Sequence, residues 1–319
     1  MQIIDKDTNL QIPATAACIG FFDGVHRGHQ FLIGQLIEEA RQRGIASAVI
    51  TFRNHPRKLI EPQYTPQLIS TYDEKMELLA KTDVDYCLVL DFTPELRKLT
   101  AREFIQQVLK EKLNTQLLLV GYDHHFGSDR DKGYADYQRY GSECGMEVIK
   151  EPDYCPSGWH ISSSEIRRAL LHGNIAKANE LLGRYYQLKG KVEGGFHLGR
   201  KIGYPTANIT PSDSDKLIPQ NGVYAAFAHI GSMRYPAMLN IGCRPTFSDT
   251  RQVSIEVHII GFEGNLYDST LSIDFIALLR HEMKMESMDA LRLQLDLDKK
   301  QTLQRLKEYQ SYEQLLPTK

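Results

Sequence analysis

Residues 20–30 read Gly-Phe-Phe-Asp-Gly-Val-His-Arg-Gly-His-Gln. The run Ala16 to Phe22 leads into this stretch and reads as a strand. Behind it, Leu32, Leu36 and Ala40 recur at helical spacing, Ile33 and Ile37 widen their stripe, and Gly44 supplies a stop, so residues 28–43 read as a helix. A strand that turns through glycines straight into a helix opens a parallel α/β sheet. The alternation continues outward. Strands are expected at 45–52, 86–92, 117–120 and 146–150, and helices at 73–81 and 101–113, the second behind a Thr100/Glu103 capping box. Such sheets take ligands at the carboxyl ends of their strands.

The period changes near Leu182 and Gly183. From Tyr186 onward helical patterns vanish, and short β-rich runs separated by Gly and Pro turns replace them at 187–192, 223–230, 235–239, 253–260 and 271–278. This predicts an antiparallel barrel or sandwich. A helix over 287–309 follows, with Met288, Leu291, Leu295 and Leu306 on one side to pack against it.

Composition agrees with two folded domains: 319 residues, 42% hydrophobic and 24% charged. A formal charge of −2 offers no basic face, so nucleic acid is not an expected partner. No apolar run is long enough to span a bilayer, so no membrane is expected. Cys18, Cys87, Cys144, Cys155 and Cys243 are odd in number and widely spaced, which reads as reduced thiols in a cytoplasmic protein. Oligomeric state has no signature in the chain.

Two constellations carry chemistry. In the first, His26 and His29 straddle a helix start, where free N–H groups and the helix dipole suit a phosphate; Gly24 and Gly28 let backbone approach a ligand. Imidazoles there can donate to phosphate oxygens and stabilise charge that develops during displacement. A pair of turn histidines on a surface loop would look the same in isolation. Ile161-Ser162-Ser163-Ser164-Glu165-Ile166-Arg167 marks another helix start, whose hydroxyls and Arg167 could hold β- and γ-phosphates as the second jaw of a clamp. By itself it is simply a well-capped helix.

In the second constellation, residues 194–209 place Gly195, Gly199 and Gly203 in a loop able to wrap phosphates, ahead of Pro205-Thr206-Ala207-Asn208. Thr206 and Asn208, two apart in an extended strand, share a face and could share a hard cation such as Mg²⁺. Ordinary turns and a polar strand entry are the plainer reading of each part.

The first half resembles the adenylyltransferase half of prokaryotic bifunctional riboflavin kinase/FAD synthetases. The likeness rests on 20–30, Thr51-Phe52 with His55-Pro56, Gly121-Tyr122-Asp123 with Phe126-Gly127, and 161–167. The second half resembles the riboflavin kinase family through Gly199-Arg200, Gly203-Tyr204, the Pro-Thr-Ala-Asn block, Asn221-Gly222-Val223-Tyr224, Asn240-Ile241-Gly242 with Arg244-Pro245-Thr246-Phe247, and Ile255-Glu256-Val257-His258.

The resemblance implies a Rossmann-like α/β nucleotidyltransferase domain over 1–183, and an antiparallel β-barrel riboflavin kinase domain with a C-terminal helix over 184–319. It implies that riboflavin is phosphorylated to FMN and FMN is adenylated to FAD, both from ATP with Mg²⁺. Glu256 would be general base toward the ribityl 5′-hydroxyl, His26 and His29 would serve the adenylyl step, and Asp123, Phe126 and Arg280 would contact flavin.

The chain departs from the family pattern at Phe21, where Asn is frequent, and at Asn54, where Pro often precedes His55-Pro56. Ser164 replaces Thr, Asp268 replaces Gly and Met285 replaces Phe. Phe21 and Asn54 motivate an alternative, a riboflavin kinase whose first domain only binds nucleotide or flavin. A flavin sensor is disfavoured because a pure binder would not need Glu256, and a class I aminoacyl-tRNA synthetase relative because no Lys-Met-Ser-Lys-Ser-like segment is present.

Overall fold

Ala16 to Ile19 point alternately into two apolar layers, and that alternation organises the first half of the chain. The computed structural model describes residues 1–315 except 7, 9–10, 62, 122–124, 130, 152–160, 195–197 and 245–251. It divides into two units, Met1–Ser163 and Ser164–Lys319.

In the first unit β1 (Gln2–Ile4), β2 (Thr15–Ile19), β3 (Ala46–Phe52), β4 (Tyr86–Leu90), β5 (Thr115–Val120) and β6 (Glu147–Lys150) form a sheet in the order β1-β4-β3-β2-β5-β6. Every pairing is parallel. The helices are α1 (Arg27–Arg43), α2 (Pro56–Ile60), α3 (Tyr72–Ala80), α4 (Pro94–Lys98), α5 (Ala101–Phe104) and α6 (Tyr134–Glu143). Ala16, Cys18, Val49 and Leu119 face Ile33, Leu36 and Ala40 of α1, while Ala17, Ile19, Ile50 and Leu118 face Phe104, Val108 and Tyr137. Both faces are covered, as a parallel sheet requires. The chain steps from β2 to β3 and β4 on one side, then returns to β5 on the other, so the crevice beyond β2 and β5 is the switch point where such sheets bind ligands.

The expected strands at 45–52, 86–92, 117–120 and 146–150 form within two residues at each end, whereas the one read over 16–22 stops at Ile19, because the chain turns out of the sheet before Phe22 takes a left-handed conformation. The expected 101–113 helix starts with its Thr100/Glu103 capping box, then widens over Ile105–Lys110 into a segment bonded five residues apart. The short α2 and α4 carry too few residues for an apolar period.

The second unit contains α7 (Ser163–Leu171, beginning on the last residue of the first unit), α8 (Ile175–Leu182), β7 (Tyr186–Glu193), α9 (Leu198–Lys201), β8 (Ala207–Pro211), β9 (Gly222–Ile230), β10 (Met233–Arg244), β11 (Gln252–Ile259), β12 (Thr270–Arg280) and α10 (Met288–Leu315). The strands close an antiparallel barrel in the order β10-β11-β8-β7-β12-β9, with β9 also paired to β10. β7 alternates buried and open residues, but β9 is buried on both faces from Gly222 to Ala228. One face lies inside the barrel; on the other, Ala225 and Phe227 pack with Ile276 under Leu306 of α10.

The units divide at Ser163, earlier than the 183/184 division read from the sequence. Helix α8 belongs with the barrel: Asn179 Nδ2 donates to the Phe275 carbonyl at 2.9 Å, and its Oδ1 accepts the Tyr186 N–H at 2.7 Å. Asp268 takes φ +62°, the left-handed conformation that glycine favours and aspartate tolerates.

Candidate active sites

The turn between β2 and α1 is held in a conformation that few side chains accept. Phe22, Gly24 and Val25 all have positive φ, at 53°, 77° and 36°. For a β-branched residue such as Val25 this is a strained state that surrounding contacts must hold. Asp23, buried in the turn, accepts the Ile69 N–H at 3.2 Å and the Ser70 N–H at 3.0 Å. The Gly24 N–H donates to Ser70 Oγ at 2.9 Å, and Gln30 Nε2 donates to the Val25 carbonyl at 2.8 Å. Gly24 is therefore consumed by the turn itself.

His26 caps α1, its Nδ1 accepting the His29 N–H at 3.3 Å. The two imidazoles stack with centroids 3.6 Å apart. A Cβ on Gly28 would meet the His26 ring at 3.3 Å and the Ile161 carbonyl at 3.5 Å. Ser163 Oγ donates to the Asp23 carbonyl at 3.0 Å. The structure thus brings His26, His29, Gly24, Gly28 and Ser163 together; Ser162 precedes α7, and Ser164 and Arg167 lie on it.

Beside this turn lies a cavity of 1140 Å³, lined by Phe21, Phe52, Pro56, Phe92, Leu96, Phe104 and Phe126 among others. Of the three flavin candidates, Phe126 is on its wall. Asp123 lies outside the described residues, as do Gly195, Tyr122, Cys155 and Pro245–Phe247 of the segments singled out above. Lys75 on α3 is 2% exposed and donates to the carbonyls of Phe21 at 3.2 Å and Phe52 at 2.8 Å. Burial pushes its pKa down to about 8, opposed by the charge of Asp23.

In the barrel, Glu256 pairs with Asn208 across β11 and β8, and Thr206 Oγ1 donates to Glu256 Oε2 at 3.4 Å. Hydroxyl, amide oxygen and carboxylate converge, a set of hard donors that fits Mg²⁺. Glu256, His258, Asn240 and Arg280 line a cavity of 350 Å³ closed by Leu291 and Leu295 of α10 and by Met238, Met283, Met285 and Met288. A second cavity of 330 Å³, bounded by Arg200, Phe262 and Tyr267, also reaches Thr206. Thr206 lines both.

Of the loop glycines, Gly199 and Gly203 shape the approach to Thr206. Gly199 lies in the short helix α9, and its carbonyl accepts the Tyr204 N–H at 2.8 Å. A Cβ there would lie 2.1 Å from the Tyr204 carbonyl oxygen, so only glycine fits. Gly203 has φ +84°. These glycines set the approach of Pro205 and Thr206.

Arg280 lines the cavity but is committed to structure. Its Nε and Nη2 hold Asp298 at 2.9 and 2.7 Å, and its Nη1 donates to the His281 carbonyl at 3.2 Å. His258 Nδ1 lies 2.8 Å from the Pro205 carbonyl, and burial lowers its pKa, so the neutral ring donates there and fixes the backbone beside Thr206. Lys75, Asp298 and this role of His258 were not visible in the sequence; only the shared face of Glu256 and His258 hinted at the last.

A model of FAD synthetase matches residues 9–165, and one of riboflavin kinase matches residues 182–306. The bifunctional riboflavin kinase/FMN adenylyltransferase of Escherichia coli K12 is 35% identical over 302 residues, covering 93% of this chain and 96% of that one. The chain belongs to this family. The Pseudomonas fluorescens member is 36% identical over 301 residues, with the same coverage of both chains. Among solved structures, one titled a macrolide-efflux protein from Streptococcus pneumoniae superposes with a TM-score of 0.86 at 33% identity, covering 95% of this chain and 99% of that one. Both domains of the family are thus present in one fold. Among the described residues, no helix is long and apolar enough to cross a membrane.

Proposed function

We propose that the chain phosphorylates riboflavin to FMN in its barrel half and adenylates FMN to FAD in its α/β half, using ATP in each. The observation that carries the kinase reading is Thr206, which touches Glu256 and lines both barrel cavities. Riboflavin, seated against α10 in the larger cavity, brings its 5′-hydroxyl to Glu256. ATP in the other brings its γ-phosphate to Thr206. Glu256 accepts the hydroxyl proton, the oxygen attacks the γ-phosphorus, and ADP departs. Thr206 and Asn208 hold Mg²⁺, which when bound offsets charge on the phosphate oxygens.

In the first unit the FMN phosphate attacks the α-phosphorus of ATP and pyrophosphate leaves. Stacked His26 and His29 and the α1 N-terminus face the charge that develops there. Ser162 and Ser163 hold the outer phosphates, and the apolar cavity holding Phe126 takes the flavin ring. The α/β half carries the adenylyl step and the barrel half the kinase step, and the enzyme works in the cytoplasm.

The test is a time course with riboflavin, ATP and Mg²⁺, the flavins being separated chromatographically. FMN should rise first and FAD after it. FMN without FAD would reduce the first half to a binding module, and no product from folded protein would overturn the reading.

A further inference from the structure

Phe21 stands where the family pattern frequently has asparagine, and its surroundings give it work that an amide could not do. Its ring is half-buried and lines the 1140 Å³ cavity of the first unit. The Lys75 ammonium lies 4.2 Å from the ring centroid, and the His55 ring meets it edge-on at 4.8 Å and 69°. The same ammonium donates to the Phe21 carbonyl, which also accepts from Thr51 Oγ1 at 3.1 Å. One buried cation therefore fixes both backbone and ring of the residue that opens the strained turn. Phe22 beside it takes the left-handed conformation and turns its own ring into the core, 1% exposed. The local strain thus sends one phenyl ring inward and leaves the other at the cavity wall.

We propose that Phe21 is a specificity-determining contact for the isoalloxazine ring in the adenylyl step, and that Lys75 is a positioning residue acting through it. An aromatic wall favours a large flat ring through area and edge-to-face contact. A cation fixed against the phenyl ring limits its rotation, so less freedom is lost when flavin docks. The contact selects flavin and leaves ATP untouched, because the phosphate groups are met at the other end of the turn by His26, His29 and the α1 N-terminus. This rests on the adenylyltransferase reading of the first unit.

The test uses the full chain and follows FAD formation from supplied FMN. Phe21→Leu keeps apolar volume but loses the ring. It should raise KM for FMN about three- to tenfold, the scale of a single aromatic contact, and leave kcat and KM for ATP within about twofold. Phe21→Tyr should restore the wild-type KM. Lys75→Met should raise KM for FMN in wild type and raise it by a smaller factor once Phe21 is Leu, the non-additivity expected of a residue acting partly through its neighbour's ring. FMN formation from riboflavin, made in the other unit, should be unchanged in all variants and reports that the chain is folded. A Phe21→Leu enzyme with wild-type KM for FMN, or with its loss in KM for ATP, would overturn the inference alone. A wild-type chain that makes no FAD would overturn both the inference and the adenylyltransferase reading.

Discussion

Asp298 is the residue whose removal should most clearly separate support of the kinase cavity from its chemistry. Its carboxylate is fully buried on α10 and accepts from Arg280 at 2.9, 3.2 and 2.7 Å and from Gln294 at 2.8 Å. Arg280 ends β12 and Asp298 sits in α10, so this pair ties the helix to the barrel. The same helix contributes Leu291 and Leu295 to the cavity that contains Glu256. Breaking a buried ion pair costs about 3–5 kcal/mol because the remaining charge keeps its desolvation without its partner. Arg280 retains 20% exposure and can regain some water, which favours the lower end, about 3 kcal/mol. For a unit of this size that is a fall in Tm of about 6–12 °C. Asp298→Asn, followed by calorimetry and by riboflavin kinetics, should show that fall together with a raised KM for riboflavin and a nearly unchanged kcat at temperatures where the unit stays folded. The double change Arg280→Met/Asp298→Leu should recover most of the stability, since it leaves no charge stranded. A loss below about 1 kcal/mol for Asp298→Asn, the scale of a surface pair, would refute the claim that this pair anchors the helix.

Other outcomes follow from the same geometry. Glu256→Gln should lower FMN formation by about 10²–10⁴-fold and spare FAD formation from supplied FMN, while His29→Ala should do the reverse by about 10²–10³-fold; rate assays on each half-reaction check both, and equal loss of both activities in one folded variant contradicts the division of labour. Gly199→Ala should abolish kinase turnover without touching the adenylyl step, because its Cβ would lie 2.1 Å from the Tyr204 carbonyl and displace Pro205 and Thr206. Lys75 links stability to pH. Below about 8 the folded and unfolded chains both carry the ammonium; between about 8 and the ordinary 10.5 the unfolded chain binds the extra proton, so this residue makes stability rise with pH in that window. Urea unfolding at pH 7.5, 9 and 10 should show that slope in wild type and its reduction in Lys75→Met; an unchanged slope would be the contrary result.

What the sequence made legible was local or periodic. His26 and His29 are three residues apart beside a predicted strand end, so their meeting needs only a turn and the first turn of a helix. The Thr100/Glu103 box and the stripe of Leu36 and Ala40 are likewise written within one element. Thr206 and Asn208 were singled out as a pair and Glu256 apart from them, and it is barrel register that brings the three together, Glu256 opposite Asn208. Lys75 could not be read in advance. Its hydrogen-bond partners are main-chain carbonyls of Phe21 and Phe52, which any residue supplies, and from its own helix it reads as an ordinary surface lysine. Arg280 was picked out as a flavin contact, but its guanidinium is directed to an aspartate on a different element.

The two halves meet one problem, holding phosphates close to an attacking oxygen, by different means, and the difference explains which residues were hidden. In the first unit the fold stores strain: Phe22 and Val25 at positive φ are kept there by Ser70, which bonds Asp23 and Gly24 of the turn, and by Lys75, both reached through long-range contacts. Strain of about 1–3 kcal/mol per residue persists only where the surroundings over-determine it, so the turn's supports must be remote and buried. In the barrel the same precision comes from strand register, with Gly199 and His258 setting the irregular segment Tyr204 to Thr206. Register is set by patterning that a sequence displays, whereas the braces of a strained turn need only reach it in space. A change that loosens a brace should therefore impair the adenylyl step at a distance from its chemistry, while the barrel step should be most sensitive at residues on or next to the strands that carry it.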